Sequence, residues 1–162
     1  MTMSFVNIPA AADVEAPTEP ETAVINDGFF PDIDPAAIRD AARITNSVTP
    51  GRLRAAILGA IMAIEIDMRA YAAAQIAAGH ASLAAVPAAL LDGRSVQLLR
   101  YERAVALYAK AELIARMPDF DTTGAGDNRA DETTPTIGEL RRDAMHAVRD
   151  MLGKTRTTVA LI

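Results

Sequence analysis

The chain has no cysteine and no tryptophan, and aromatic residues make up only 4% of its 162 positions. Without cysteine there is no disulfide, no thiolate nucleophile and no Cys-based zinc site, a pattern that fits a reducing compartment. With so few aromatic rings, a hydrophobic fraction of 51% must rest largely on alanine, with leucine, isoleucine and methionine between. That composition excludes general disorder and favours closely approaching Ala-rich helices over a β-sandwich. One domain with one core is expected at this length. Lys and Arg number 16 against 21 Asp and Glu, a formal charge of −5. Nonspecific wrapping of DNA needs clustered cations, so this balance speaks against it. Long apolar runs are missing as well. Ala55 to Ile64, flanked by Arg54 and Glu65, is too short to span a bilayer, and no membrane partner is expected. No cationic segment precedes an apolar one near the start, so no secretory signal is expected either.

Positive charge is absent from Met1 to Ile38, where Asp13, Glu15, Glu19, Glu21, Asp27, Asp32 and Asp34 are all acidic and prolines recur. Such a segment repels itself and buries little on its own, so it reads as an arm held by something else. Its apolar anchors are Val24-Ile25 and Phe29-Phe30, the latter half of the four phenylalanines in the chain. Phe29-Phe30 calls for an apolar groove, on the same subunit or on a neighbour. The expected organisation is an extended acidic arm over residues 1–28 and a helical domain over 29–162.

Helix punctuation is legible from there on. Asp34-Pro35 pairs an N-cap with a first-turn proline and opens a short helix to about Asn46. Thr49-Pro50 repeats the signal, and Leu53, Ile57, Ile61, Ile64, Met68 and Tyr71 recur at steps of three and four until Gly79 can stop the helix. Pro87 and the Asp92-Gly93 turn signal mark a connector over 81–93 with one helical turn. A third helix, from about Ser95 to Met117, has Leu98, Tyr101, Val105 and Tyr108 on one face and Val96, Leu107, Ala111 and Ile114 on another, which suggests a central position. After a polar loop from Pro118 to Thr133, Thr134-Pro135 starts the last helix, with Ile137, Leu140, Ala144, Val148 and Met151 on one side and Gly153 at its edge. The expected fold is all-α: a four-helix bundle with two long helices, an acidic arm and a short C-terminal β-strand.

That strand is Thr155 to Ile162. Branching at Cβ favours extended backbone for its Thr and Val residues, and Gly153-Lys154 before it is a good helix stop. A lone strand ending in Val-Ala-Leu-Ile needs an edge to pair with, supplied by the arm or by a neighbouring subunit.

Apparent chemical motifs fail on their mechanics. Asp119, Asp121 and Gly124 match a calcium loop at its first, third and sixth places, but Ala130 stands where the bidentate Glu belongs. Gly153-Lys154-Thr155 lacks the earlier glycine of a phosphate loop, where Val148 stands. Gly93-Arg94-Ser95-Val96-Gln97 lacks the last glycine of a nucleophile elbow, and Ser95 reads better as a helix N-cap. His80 and His146 lie on different elements without an HExxH pattern. Asp32 and Asp34 resemble a carboxylate pair, but Asp34 caps a helix and Asp32 can accept bonds in the turn before it. No catalytic residue, metal or cofactor is expected. Tyr101-Glu102-Arg103 is the most informative polar cluster, read either as a solvated helix face or as an ion-pair seam between helices or subunits.

Several blocks then carry a resemblance: Phe29-Phe30-Pro31-Asp32-Ile33-Asp34-Pro35, Arg52-Leu53-Arg54-Ala55-Ala56-Ile57, Tyr101-Glu102-Arg103-Ala104-Val105, the stretch from Gly126-Asp127 to Glu139-Leu140-Arg141-Arg142-Asp143, and the closing run with Gly153-Lys154, Arg156, Val159 and Leu161-Ile162. In this order, over about residues 28 to 162, the chain resembles the GPL family of tailed-phage head completion proteins.

The resemblance implies a virion structural protein that completes and stabilises the DNA-filled head and forms a ring beneath the portal, the connector onto which the tail docks. It implies a homo-oligomer, dodecameric to match the portal. Its partners are then the portal protein and a tail terminator or other neck protein, with packaged DNA passing through the lumen without sequence-specific binding. The place implied is the virion neck, and the host cytoplasm during assembly. On this reading the oligomer or portal interface uses Phe29, Phe30, Tyr101, Glu102, Arg103, Arg156, Val159, Leu161 and Ile162. The alternatives are a small helical adaptor unrelated to virions, or a regulator binding metal or phosphate through the loop from Asp119 to Glu132.

Overall fold

The computed structural model describes residues 21–116 and 135–155. Among these the chain is mostly helical, with four α-helices and one two-stranded antiparallel sheet. Helix α1 (Pro35–Ala42) is capped by Asp34, whose Oδ1 accepts from the Ala36 amide at 3.0 Å. It stops four residues before the expected end. Arg43 turns left-handed at φ 54°, and the amide of buried Ile44 reaches back to Arg39 O at 2.9 Å, closing a Schellman turn without a glycine. Helix α2 (Pro50–Ala77, 28 residues) is capped by Thr49 and stopped at Gly79, where φ is +95° and the His80 amide bonds Gln75 O.

The connector holds more order than a turn. A 3-10 turn at Leu83–Ala85 leads to a hairpin of β1 (Leu90–Leu91) and β2 (Arg94–Ser95), in register Leu90 with Ser95 and Leu91 with Arg94. Asp92 and Gly93 form the two-residue loop with φ of 50° and 71°, the left-handed pair that matches the strand twist. Ser95 Oγ then accepts from the Gln97 amide at 3.3 Å and caps α3 (Val96–Arg116, 21 residues). Helix α4 (Ile137–Met151) begins at Thr136, two residues beyond the Thr134-Pro135 signal. Thr136 and Glu139 form a reciprocal capping box, and that pair outweighs a proline as a start signal. At its far end Gly153 takes φ +64° and the Lys154 amide bonds Arg149 O at 2.9 Å, the helix stop expected there.

Helix α3 organises the packing. It lies against α2, α4 and α1, while α2 and α4 scarcely meet. Leu53, Ile57, Ile64 and Met68 of α2 meet Tyr101, Val105 and Leu113 of α3, and Ala147, Val148 and Met151 of α4 join the same cluster. Ala104, Ala109 and Ala144 are fully buried, which lets the helix backbones approach closely. No helix of the described residues is long and apolar enough to cross a membrane.

Candidate assembly surface

The arm's described part closes on itself before it meets the helices. Val24 and Ile33 pair through two backbone hydrogen bonds of 2.8 and 2.9 Å. Between them Asp27 Oδ1 accepts from the amides of Phe29 and Phe30, both at 3.0 Å, and Asp32 Oδ1 accepts from the Asn26 amide at 2.9 Å. The two acids therefore act as turn acceptors. The closed loop turns both phenyl rings inward, edge to face with centroids 5.1 Å apart, and Phe30 stacks on Tyr101. Asn26 Nδ2 donates to Tyr101 Oη at 2.8 Å and to Pro31 O at 3.1 Å. Arg39 ties down the beginning of the arm's described part by pairing with Glu21 while donating to Val48 O at 2.8 Å.

Phe29 and Phe30 are each 4% exposed and Tyr101 1%. Of the two grooves open to the Phe pair, the subunit's own is the one used. All three are interior residues of the subunit. Burial pushes the Tyr101 hydroxyl up to about 12; the Asn26 bond opposes this, and Asp27 and Glu65 add to it.

Glu102 and Arg103 take the outward side of the same turn of α3. Glu102 pairs with Arg94 of β2, with side chains 36% and 51% exposed, and Arg103 is exposed. Within the subunit this is a solvated surface pair, worth at most about 1 kcal/mol. The two residues border a groove between α1 and α3 with an apolar floor of Ala37, Ile38 and Leu99 and acidic Asp32 and Asp34 on its rim. Arg156, Val159, Leu161 and Ile162, and the loop from Asp119 to Glu132, lie outside the described residues. His80 follows α2 and His146 sits on α4 beside Arg100, Arg103, Asp143 and Asp150. The described residues contain no group of three or more His, Cys, Asp or Glu side chains placed to hold a metal.

Sequence reading missed the outer face of α2. Leu58, Met62, Ile66 and Ile76 are 41, 60, 69 and 54% exposed, and Leu90 and Leu91 of the hairpin 70 and 64%. The signal was present: α2 carries apolar residues all round, and only one face of them fits the inward stripe.

The family model for "Phage head completion protein (GPL)" matches residues 24–162. The chain is 40% identical over 149 residues to the "Head completion/stabilization protein" of Escherichia phage P2, covering 92% of this chain and 88% of that protein. It is 26% identical over 143 residues to the "Probable head completion/stabilization protein" of Haemophilus phage HP1 (strain HP1c1), covering 88% and 93%. No solved structure matches it.

Proposed function

The chain belongs to the phage head completion protein (GPL) family, and from that premise we propose that it forms a ring beneath the portal of the DNA-filled head, stabilising the head and presenting the connector surface on which the tail docks. A role in virion head assembly follows from the family. The observation that carries the finer reading is the family match over nearly the whole described fold, taken with an outer surface whose large apolar side chains are uncovered among the described residues. A ring of identical subunits repeats one head-to-tail contact until it closes, and such a contact uses two different patches on each subunit. The chain's excess of acidic residues favours a lumen that repels DNA and lets it slide. The ring takes the portal's twelve-fold symmetry, with the portal above it and a tail terminator or other neck protein below, and its work is structural, not catalytic.

Cryo-EM of intact virion necks tests this. The expected result is one ring of this chain between portal and tail, with heads lacking the chain losing DNA and failing to join tails. A neck without the chain would overturn the proposal.

A further inference from the structure

Two apolar patches on the described surface have no cover among the described residues. The first runs along the outside of α2 through Ala55, Leu58, Met62, Ile66, Ala73 and Ile76, steps of three, four and seven that align on one face for about 30 Å. A helix apolar on every side belongs inside a larger body, yet α2 has only its Leu53–Ile57–Ile64–Met68 face against the core. Arg69 is the charged residue that falls within this stripe, 72% exposed and only loosely paired with Glu65 at 3.8 Å. The second patch is the tip of the hairpin. Neighbouring strand residues point to opposite sides of a ribbon, and Leu90 and Leu91 are both open, so neither side of the ribbon is covered. Next to them Asp92 is exposed and makes no hydrogen bond or ion pair among the described residues.

Resting on the ring reading above, we propose that the Leu90–Leu91 hairpin of one subunit seats on the outer face of α2 of a second copy, with Asp92 against Arg69. One patch is a narrow projection carrying two leucines and an acid; the other is a long apolar strip interrupted by one base. They differ in shape and are opposite in charge. Each therefore complements the other better than itself, since Asp92 meets the opposite charge of Arg69 on α2, whereas two hairpin tips would bring their Asp92 carboxylates together. A contact between unlike patches is head-to-tail and propagates, as a ring requires. The hairpin is suited to projecting, because residues 87–94 are all exposed while the Arg94–Glu102 pair fixes its base to α3.

The chain's lack of cysteine makes the test direct. Chain carrying Leu91→Cys is mixed with chain carrying Ala73→Cys under air oxidation, in concentrated solution and with DNA-filled heads that lack this protein. A disulfide-linked dimer is expected in the mixture, at least about tenfold more than with either variant alone. Equal yield from one variant alone would show a self-facing contact and overturn the proposal. So would the absence of a mixed disulfide in both settings, as when another protein or the chain's own residues cover these patches. Head binding without the disulfide overturns the contact and leaves the proposed function standing; the disulfide without head binding does the reverse. Charge reversal gives a second measurement on the same cysteine pair. Asp92→Arg or Arg69→Asp alone should lower the mixed-disulfide yield, and the two reversals together should restore it. A yield indifferent to all three would also sink the pairing.

Discussion

The ring of Phe30 lies nearly parallel to that of Tyr101, with centroids 4.8 Å apart and 12° between their planes. This contact joins residues of the arm to the middle of α3, and with the Asn26–Tyr101 hydrogen bond it ties Val24, Phe29, Phe30 and Ile33 into the subunit's core.

Phe30→Ala should therefore destabilise the isolated subunit by about 3–5 kcal/mol, the usual cost of emptying a buried aromatic site. Urea denaturation of the purified chain measures it. An unchanged midpoint, with head stabilisation weakened, would transfer the ring's role to an intersubunit contact.

The Tyr101 hydroxyl gives stability an alkaline limit. Folding raises its pKa from an ordinary value near 10 to about 12, so below 10 both states keep the proton and nothing changes. Between 10 and 12 the unfolded chain ionises while the folded one does not, and stability falls with rising pH by an amount on the order of 2 kcal/mol. Tyr101→Phe should remove this part of the decline and, by losing the Asn26 bond, cost about 1 kcal/mol at neutral pH. Identical alkaline profiles for the two proteins would contradict the burial argument.

At the start of α4, Thr136→Ala removes the acceptor for the Glu139 amide and should cost about 1 kcal/mol, with faster hydrogen exchange at that amide. The Thr136 amide and hydroxyl, with help from Arg142, hold the Glu139 carboxyl below its ordinary value. The cap's contribution is thus present above the usual carboxylate range and is lost only as pH falls through the lowered value. Exchange at Glu139 unaltered by the substitution would mean that the cap is idle.

Deleting residues 157–162 should leave the helices folded, because the described core closes without them. Attachment to heads should be lost if the segment pairs with a neighbour. Circular dichroism and sedimentation of particles separate these effects. Loss of helicity along with attachment would place the segment in the subunit's own core.

Local chemistry made much of the fold readable from sequence. Asp34, Thr49, Ser95, Gly79 and Gly153 act where expected, because a cap or stop is satisfied by backbone groups within a few residues of itself. The two departures at helix ends are local too. Arg43 takes a left-handed turn that its identity does not advertise, and the Thr136–Glu139 box competes with a proline signal two residues earlier.

The candidate surface was less legible, for a physical reason. In Tyr101-Glu102-Arg103 three adjacent side chains must point in different directions around a helix. Only the tertiary packing decided that Tyr101 goes inward beneath Phe30 while Glu102 and Arg103 stay at the surface. Apolar periodicity likewise marked one stripe of α2 as buried, but the burial of a stripe depends on partners distant in sequence. The amino-acid sequence by itself determined the helical segments, most of their caps and stops, and the family. The tertiary structure decided that the two phenylalanines belong to their own subunit's core and that Leu58, Met62 and Ile66 are left uncovered among the described residues, because the elements packed on α2 there meet only its other side.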